Sequence, residues 1–437
     1  MEGLRPIHVT KEDGEDEGQL LSPVSRIFHQ PNCSVYIILF LGFKTPINPD
    51  GLKPALAHIF LRHPRFLSLL VVDDNGKDMR WVRTEVNLDN HLIIPTFDPS
   101  MESPDKYVED YAANLSTTVI NKSIPLWDVH ILNLETSEAK STVIIRVHHS
   151  LGDGTSLMAL LLSCSRKVSN PEELPTIPTT KTRNPMFNSC RLWQFFLKLW
   201  LSMLVCWNTI VDVVMFMATV FFLDDTKTPL KSPEIGIVYT PSRRRFVHTT
   251  ISLDDVKLVK NAMDATINDV MVGVTQAALS RYLNRKYGDE AKEGKNNLPK
   301  NIRLRAAVAV DIRPYSYSHT YQDVIKTNMW GNKIGFILFP FKIALRDDPL
   351  DHVREAMLVS KRKKASLEAK FTHFLAKLCS RFFDIRIPSM LSRTTIGFSN
   401  LPGPRDEISC LGYKVTFMAP SLYGQACVSI LTSSYMK

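Results

Sequence analysis

The sequence predicts a mixed α/β protein of the α+β type, folded as two domains. Three observations lead to this expectation. A chain of 437 residues is longer than one hydrophobic core usually organises. Its composition, 44% hydrophobic and 22% charged, is ordinary for a folded globular protein. Segments with the two-residue period of strands alternate with segments of helical period. The predicted parts are an acidic disordered tail over 1–20, an N-terminal domain over 21–167, a linker with a hydrophobic helix over 168–239, and a C-terminal domain over 240–437.

The N-terminal half alternates apolar strands with short helices. The acidic run 12–17 indicates that the chain before residue 21 is disordered. Residues 34–43 are apolar but too few to span a bilayer, so they read as a buried strand. Further strands are predicted at 67–72, 81–86, 129–134 and 141–149, and helices at 54–61 and 156–164.

The middle of the chain holds its most hydrophobic stretch, at 192–223. As a helix it would be about 48 Å long. Lys198 and Asp212 interrupt it, so it contains no long uncharged run. Three readings stay open: a single membrane span over 193–211, a helix lying in the membrane surface, and a buried crossover helix.

The C-terminal half predicts strands and two long helices. Apolar residues recur at helical spacing from Ile267 to Tyr282, and residues 351–378 read as one basic amphipathic helix. Its quartet at 361–364, Lys-Arg-Lys-Lys, predicts a solvated or phosphate-facing surface. Strands are predicted at 246–253, 303–311 and 394–399, and residues 334–341 form a further apolar run.

Charge and cysteine usage narrow the class of protein. The net charge of +9 and pI near 9.1 favour anionic partners such as phosphates or acidic membranes, with solubility alone as the alternative. We expect no nucleic-acid partner. The seven cysteines are scattered without a CxxC pair, which favours reduced core residues in a cytosol-facing protein. The sequence shows no metal-ligand spacing and no secretory signal pattern at its start.

A pair of histidines at the end of a predicted strand is the strongest chemical feature. The run is His148-His149-Ser150-Leu151-Gly152-Asp153-Gly154. Strand alternation places His149 on the apolar face and His148 on the face shared with Arg146. Burial lowers the pKa of an imidazole and keeps it neutral, as a general base must be. His149 is therefore the predicted base and His148 its support, although a lone apolar-face histidine is more often structural.

Asp153 lies between two glycines, where two roles are open. It can cap the helix that follows the turn. Its carboxylate can also hold an arginine that supports the loop under His149. Arg313, at the end of a strand in the other half, is the predicted partner.

Several motifs give the chain a resemblance to a known family. The His148–Gly154 run resembles the HHxxxDG motif of CoA-dependent acyltransferases, and the set is similar to that of plant wax ester synthase/diacylglycerol acyltransferases. The other motifs are the opening at 21–29, Pro125-Leu126-Trp127, Asn268-Asp269, Asn328-Met329-Trp330-Gly331-Asn332 and Ser399-Asn400-Leu401-Pro402-Gly403-Pro404. They occur in the order expected for the family and cover nearly the whole chain.

The resemblance implies a fold, an activity and site residues. It implies two CoA-dependent-acyltransferase-like domains, each a mixed sheet flanked by helices, with a substrate channel between them. His149 would be the base of an acyl-CoA-dependent O-acyltransferase, and Asn268 an oxyanion or channel residue. The substrate-binding residues would be Gly152, Gly154, Pro125, Leu126, Trp127, Asn400, Pro402 and Gly403. Each has a simpler reading as well: Trp127 as a core aromatic, Asn268 in the first turn of a helix, and Pro402–Pro404 as a rigid loop.

The expected substrates are acyl-CoA, as co-substrate, and a fatty alcohol or diacylglycerol. No cofactor is expected, and membrane lipid is the expected partner at the cytosolic face of the endoplasmic reticulum or plasma membrane. Two alternatives stay open: a BAHD-type soluble acyltransferase, whose DFGWG motif the chain lacks, and a non-catalytic lipid-binding relative. The chain ends earlier than the family pattern, which predicts a shortened C-terminal domain.

Overall fold

The computed structural model describes residues 18–29, 34–61, 63–73, 78–98, 100–176, 191–230, 244–288, 296–314, 324, 329–382, 393–424 and 428–433. The predicted acidic tail lies outside these residues up to position 17, and so do 177–190 and 231–239 of the predicted linker segment. Asn328 of the fifth motif is also outside them.

Strands and helices alternate along the described chain. The strands are β1 (Gln19–Leu20), β2 (Tyr36–Phe43), β3 (Ser68–Val72), β4 (Met79–Arg83), β5 (Leu92–Ile93), β6 (Trp127–Leu132), β7 (Ser141–His148), β8 (Ser165–Lys167), β9 (Leu304–Asp311), β10 (Ile334–Phe341), β11 (Ile396–Leu401), β12 (Ile408–Cys410), β13 (Tyr413–Tyr423) and β14 (Val428–Ser433). The helices are α1 (Pro23–Ile27), α2 (Pro49–Phe60), α3 (Pro104–Leu115), α4 (Gly154–Ser163), α5 (Arg191–Phe221), α6 (Leu253–Ala262), α7 (Ile267–Tyr287), α8 (Leu350–Lys364) and α9 (Glu368–Phe382).

A seven-stranded mixed sheet forms the first half. Its order is β5-β6-β7-β2-β13-β12-β8, in which only the β5–β6 pair is parallel. The central strands are buried on both faces, and their apolar residues lie in the largest hydrophobic core. This sheet carries the histidines, because β7 ends at His148.

The second half contains a four-stranded mixed sheet of order β10-β9-β11-β14. β9 pairs antiparallel with β10 and parallel with β11, and β11 pairs parallel with the edge strand β14. Helix α7 and the basic helix α8 contribute to its separate core, through Val272, Leu283 and Ala356. A small third sheet, β1-β4-β3, lies in the first half. The channel between the halves stays a prediction.

The strand pairing corrects the predicted domain boundary. Residues 240–437 were expected to form one domain, but β12 and β13 belong to the seven-stranded sheet. β13 pairs with β2 from Tyr36–Tyr423 to Phe43–Val415. This pairing buries Val415 and Tyr423 in the core of the first half. A strand joins the sheet whose hydrophobic core it completes, whatever its position in the chain.

Two predicted elements of the C-terminal half differ from the structure. Residues 246–253 form no strand and pair with no strand that the structure describes: Phe246 contacts Phe40 and Tyr423, but Val247 and Ile251 are exposed. The predicted helix at 351–378 is two helices, α8 and α9. At the break, the Ala365 carbonyl accepts from Asn208 and the Leu367 amide donates to Thr209, so α5 satisfies the freed backbone groups.

The hydrophobic helix α5 is 31 residues long and largely exposed. By length and composition its segment Leu192–Phe221 is the one described helix that could cross a membrane. Its C-terminal part packs on the protein, where Phe216 and Asp212 are buried. Asp212 accepts from Arg362 and Lys363, and Lys363 also contacts Glu368. The basic quartet is therefore not only a solvated surface, since Lys363 is buried in this ion-pair network.

Candidate active site

The two histidines stand where β7 ends and a tight turn begins. The His149 amide donates to the carbonyl of Val35 at 2.9 Å, and the Leu151 amide donates to the carbonyl of His148 at 3.0 Å. Helix α4 follows at once, and Asp153 is its N-cap, accepting from the Ser156 amide at 3.0 Å. Strand, turn and helix are as predicted, so both rings are held by regular structure on either side.

His149 lies between the two halves of the molecule, 7% exposed. Its ring stacks on Phe28 of the first half at 4.2 Å between centroids. Its Nδ1 lies 3.0 Å from Oδ1 of Asn332 of the second half. Nε2 has no hydrogen-bond partner among the residues that the structure describes. Burial lowers the pKa of His149, and its own carbonyl, the Asp153 carboxylate and Asn332 oppose that effect only in part. The direction of this pKa change agrees with the expected neutral imidazole, and the role of His149 as a base stays a prediction.

His148 faces the other side of the strand. It stacks on His29 at 4.3 Å, and its Nδ1 lies 2.7 Å from Oγ of Ser150. Burial lowers the pKa of His148 well below its ordinary value, and nearby His29 adds to that effect. Arg146 shares this face, as predicted, and is ion-paired with Asp128, with Nε and Oδ1 at 3.0 Å. Alternation therefore separates the two histidines into different environments.

Asp153 and Arg313 form the predicted contact across the two halves. Their ion pair measures 2.9 Å, and both side chains are 2% exposed. The same guanidinium donates to Oγ of Ser156 and to the carbonyls of Gly331 and Met329. Asp153 thus has both roles proposed for it: it caps α4 and binds the arginine of the second half.

Close packing explains Gly152 of the turn but not Gly154. A Cβ on Gly152 would lie 3.3 Å from the Trp330 indole, which donates to the Leu151 carbonyl at 2.8 Å. A Cβ on Gly154 would make only ordinary contact with Leu401, at 3.5 Å. Gly152 is therefore needed for the approach of the 329–332 loop to the histidine turn. Substrate contact by either glycine stays a prediction.

The predicted residues Pro125, Leu126 and Trp127 lie beside the end of β7, where the carbonyl of Leu126 accepts from the His148 amide at 2.9 Å. Leu126 and Trp127 are buried, and Trp127 stacks on Phe60 and His91, so the simpler reading as a core aromatic accounts for it. Pro125 is buried beside them. Their predicted substrate contacts stay predictions.

Asn268 lies in the first turn of α7, in the second half. Its side-chain oxygen accepts from the Asn400 amide, and Asn400 in turn accepts from Thr432 at 2.8 Å. This chain of hydrogen bonds joins α7, β11 and β14. After it, Pro402 is exposed and Gly403 buried. The structure records no contact of Asn268 with His149 among the described residues, and its oxyanion or channel role stays a prediction.

Sequence reasoning did not assign a role to the residues that contact His149. Asn332 and Phe28 both lie inside motifs that were noted for the family resemblance, at 328–332 and 21–29. Their positions 183 and 121 residues from His149 give no local signal of contact. Their presence in motifs that periodicity does not explain was the one available signal.

Comparison with known proteins agrees with this geometry. The family model described as the wax ester synthase/diacylglycerol acyltransferase catalytic domain matches residues 52–271, and the WS/DGAT C-terminal domain matches 330–437. The Arabidopsis thaliana protein wax ester synthase/diacylglycerol acyltransferase 11 is 44% identical, covering 93% of this chain and 86% of its own length. Arabidopsis thaliana wax ester synthase/diacylglycerol acyltransferase 5 is 42% identical, covering 98% and 88%.

Solved structures support the fold. The wax ester synthase/diacylglycerol acyltransferase from Marinobacter aquaeolei VT8 aligns with TM-score 0.59 and 17% identity, over 95% of this chain and 90% of its own. The starter condensation domain of rhizomide synthetase RzmA aligns with TM-score 0.52 and 13% identity, over 94% and 81%. At these identities they show the fold alone, and they confirm the predicted two-domain, mixed α/β class.

Fold, histidine motif and comparisons together define an enzyme of the acyltransferase class. The chain belongs to the wax ester synthase/diacylglycerol acyltransferase family. The family predicted from the motifs is confirmed, and the BAHD-type alternative is not supported.

Proposed function

We propose that this chain transfers a long-chain acyl group from acyl-CoA to a fatty alcohol, forming a wax ester, or to diacylglycerol, forming triacylglycerol. The observation that carries the proposal is His149: a buried imidazole at the junction of the halves, with a pKa lowered by burial and one nitrogen bonded to Asn332. A general base needs this state at neutral pH. The names of the relatives supply the two acceptor classes.

The reaction needs one base and no covalent enzyme intermediate. Nε2 of His149 takes the proton of the acceptor hydroxyl, and the oxygen attacks the thioester carbonyl. The tetrahedral intermediate then expels the CoA thiolate, which receives the proton back from Nε2. Polar groups near Asn268 are the proposed stabilisers of the oxyanion. Acyl-CoA is a co-substrate, and the scheme uses no cofactor, metal or nucleic acid.

The assay uses the purified full chain with labelled palmitoyl-CoA and either hexadecanol or diacylglycerol. We expect ester product with at least one acceptor. His149→Gln should lower kcat by about 10²- to 10⁴-fold, the usual contribution of a general base. His248→Gln is the matched control, because His248 is an exposed histidine paired with Glu138 on the surface. If neither acceptor gave product, the activity would be wrong and the lipid-binding alternative favoured; full activity of His149→Gln would contradict the mechanism alone.

We propose membrane lipid as a further partner, at the cytosolic face of the endoplasmic reticulum or plasma membrane. Helix α5 supports this, since Trp193, Trp200 and Trp207 are each more than 60% exposed. Large apolar side chains in water are unfavourable, and tryptophan favours the membrane interface. Asp212 favours an α5 that inserts into one face of the membrane without crossing it. Its carboxylate is buried against Arg362 and Lys363, and these ion pairs hold the C-terminal part of α5 on the protein.

Flotation with liposomes tests the membrane proposal. The double variant Trp200→Lys/Trp207→Lys should reduce the floated fraction. Leu258→Lys should not, because Leu258 is an equally exposed apolar residue but belongs to α6 and not to α5. Extraction by alkaline carbonate should release the protein if α5 is inserted without spanning. Resistance to carbonate would contradict that arrangement, and flotation of the double variant at the wild-type level would contradict the role of α5.

A further inference from the structure

Asn332 holds the base of the site from the opposite half of the molecule. The residue is 5% exposed and lies two positions before β10. Its Nδ2 donates to the backbone carbonyl of His149 at 2.8 Å and to Oγ of Ser25 at 2.9 Å. A carbonyl oxygen can only accept, so the amide nitrogen must be the atom that faces it. The amide oxygen is therefore the atom 3.0 Å from Nδ1 of His149.

This orientation fixes which imidazole nitrogen carries the proton. An amide oxygen only accepts, so it forms a hydrogen bond with Nδ1 when Nδ1 is protonated. A neutral imidazole with its proton on Nδ1 has its lone pair on Nε2. The alternative tautomer would place the Nδ1 lone pair against the oxygen of Asn332, which is repulsive in a buried site, and the backbone carbonyl of His149 is a second acceptor beside the ring. Stacking on Phe28 limits the tilt of the same ring.

Asn332 itself is held on both sides. The preceding Gly331 has φ +108°, a conformation that favours glycine. The Gly331 amide donates to Oγ of Ser156 at 3.1 Å, and the Gly331 carbonyl accepts from Arg313 at 2.8 Å. On the other side, Ser25 is fully buried in α1. The side-chain amide has little freedom to rotate, because each of its polar atoms meets a group fixed elsewhere.

We propose that Asn332 is a positioning residue that selects the Nδ1-protonated tautomer of His149 and leaves Nε2 as the base. The inference deepens the proposed function and rests on it for the kinetic readout. In the reaction, Nε2 gains the hydroxyl proton while Nδ1 keeps its own and donates to Asn332. The amide dipole stabilises the imidazolium without the full charge of a carboxylate, so the base stays neutral before the reaction. The charged group that acts on this ring is the Asp153 carboxylate, which opposes the lowering of the His149 pKa.

The direct test is the tautomer itself. Two-bond ¹H–¹⁵N correlation spectra of histidine-labelled protein report which nitrogen carries the proton, and His149→Gln identifies the signal. We expect the Nδ1-protonated form in the wild-type protein and a mixture in Asn332→Leu. An Nε2-protonated His149 in the wild-type protein would overturn the proposal. This readout needs no substrate, so its failure is distinct from failure of the proposed acyltransferase activity.

Kinetics separate positioning from structural support. Asn332→Leu should lower kcat roughly 10- to 100-fold with little change in KM, a part of the contribution of a general base. Asn332→Asp keeps the acceptor but adds a charge, so the acid limb of the pH profile of kcat/KM should move up by about one to three pH units. The matched control is Asn133→Leu, which removes an amide bonded to both backbone groups of Ile47.

Asn133→Leu should lower stability and leave kcat and the pH profile of the folded enzyme unchanged. If Asn332→Leu kept the wild-type kcat, or if Asn332→Asp left the acid limb in place, Asn332 would have no positioning role. If Asn332→Leu failed to fold, Asn332→Asp and the wild-type tautomer would still decide the question.

Discussion

Replacing Arg313 by alanine would test whether the two halves are held together through Asp153. The ion pair is 2.9 Å long and both side chains are 2% exposed, so its loss leaves a buried carboxylate without its counter-charge. Breaking a buried pair in this way commonly costs about 3–5 kcal/mol. Asp153 keeps the backbone amides of Ser156 and Lys333, at 3.0 Å each, which favours the lower end of that range.

The measurement is the urea midpoint, followed by tryptophan fluorescence and by circular dichroism. Coincident transitions would justify converting the midpoint into a free energy of unfolding. Arg354→Ala is the matched control, since Arg354 is likewise an ion-paired arginine. It contacts the carboxylates of Asp348 and Asp351, but on an exposed surface. We expect a clear fall of the midpoint for Arg313→Ala and little change for Arg354→Ala.

Activity gives a second readout of the same variant. Arg313 also binds the carbonyls of Met329 and Gly331, so the 329–332 loop should lose its position beside His149. Arg313→Lys keeps the charge but not the forked geometry, and should be intermediate. Equal midpoints for Arg313→Ala and Arg354→Ala would refute the reasoning, because they would show that the buried pair contributes no more than a surface pair.

Two further predictions concern stability. Burial lowers the pKa of His29 and of His63 to about 3, below the ordinary 6.5, so the folded protein binds fewer protons than the unfolded chain in acid. The contribution of each histidine to the free energy of unfolding is then full above pH 6.5 and falls below it, by about 2–3 kcal/mol between pH 7.5 and 4.5. His29→Phe should reduce this pH dependence. If urea titrations at several pH values gave the same dependence of the free energy of unfolding on pH for the variant and the wild-type protein, the prediction would be contradicted. Trp127→Ala should lower the free energy of unfolding by about 3–5 kcal/mol, as for other buried aromatics, and a loss below about 1 kcal/mol would show that Trp127 is not a core residue.

Local signals were sufficient for the elements around the site. The two-residue period identified β7, the turn residues marked its end, and alternation separated His149 from His148. These features depend on neighbours within a few residues, which a sequence displays directly. The same reasoning mistook residues 246–253 for a strand, because alternation does not record whether a partner strand lies alongside, and without one Val247 and Ile251 stay exposed.

The sequence by itself determined the family, through its ordered motifs, and the residue on which the proposed chemistry depends. Only the tertiary structure decided that β13 completes the first sheet and that Asn332 contacts His149 across 183 residues, and it established the pair that the sequence had proposed between Arg313 and Asp153, 160 residues apart. The physical reason is range. Strand period and helix caps are set by adjacent residues, whereas the partner of a buried charge or ring nitrogen is set by how the two halves pack, which no local pattern records.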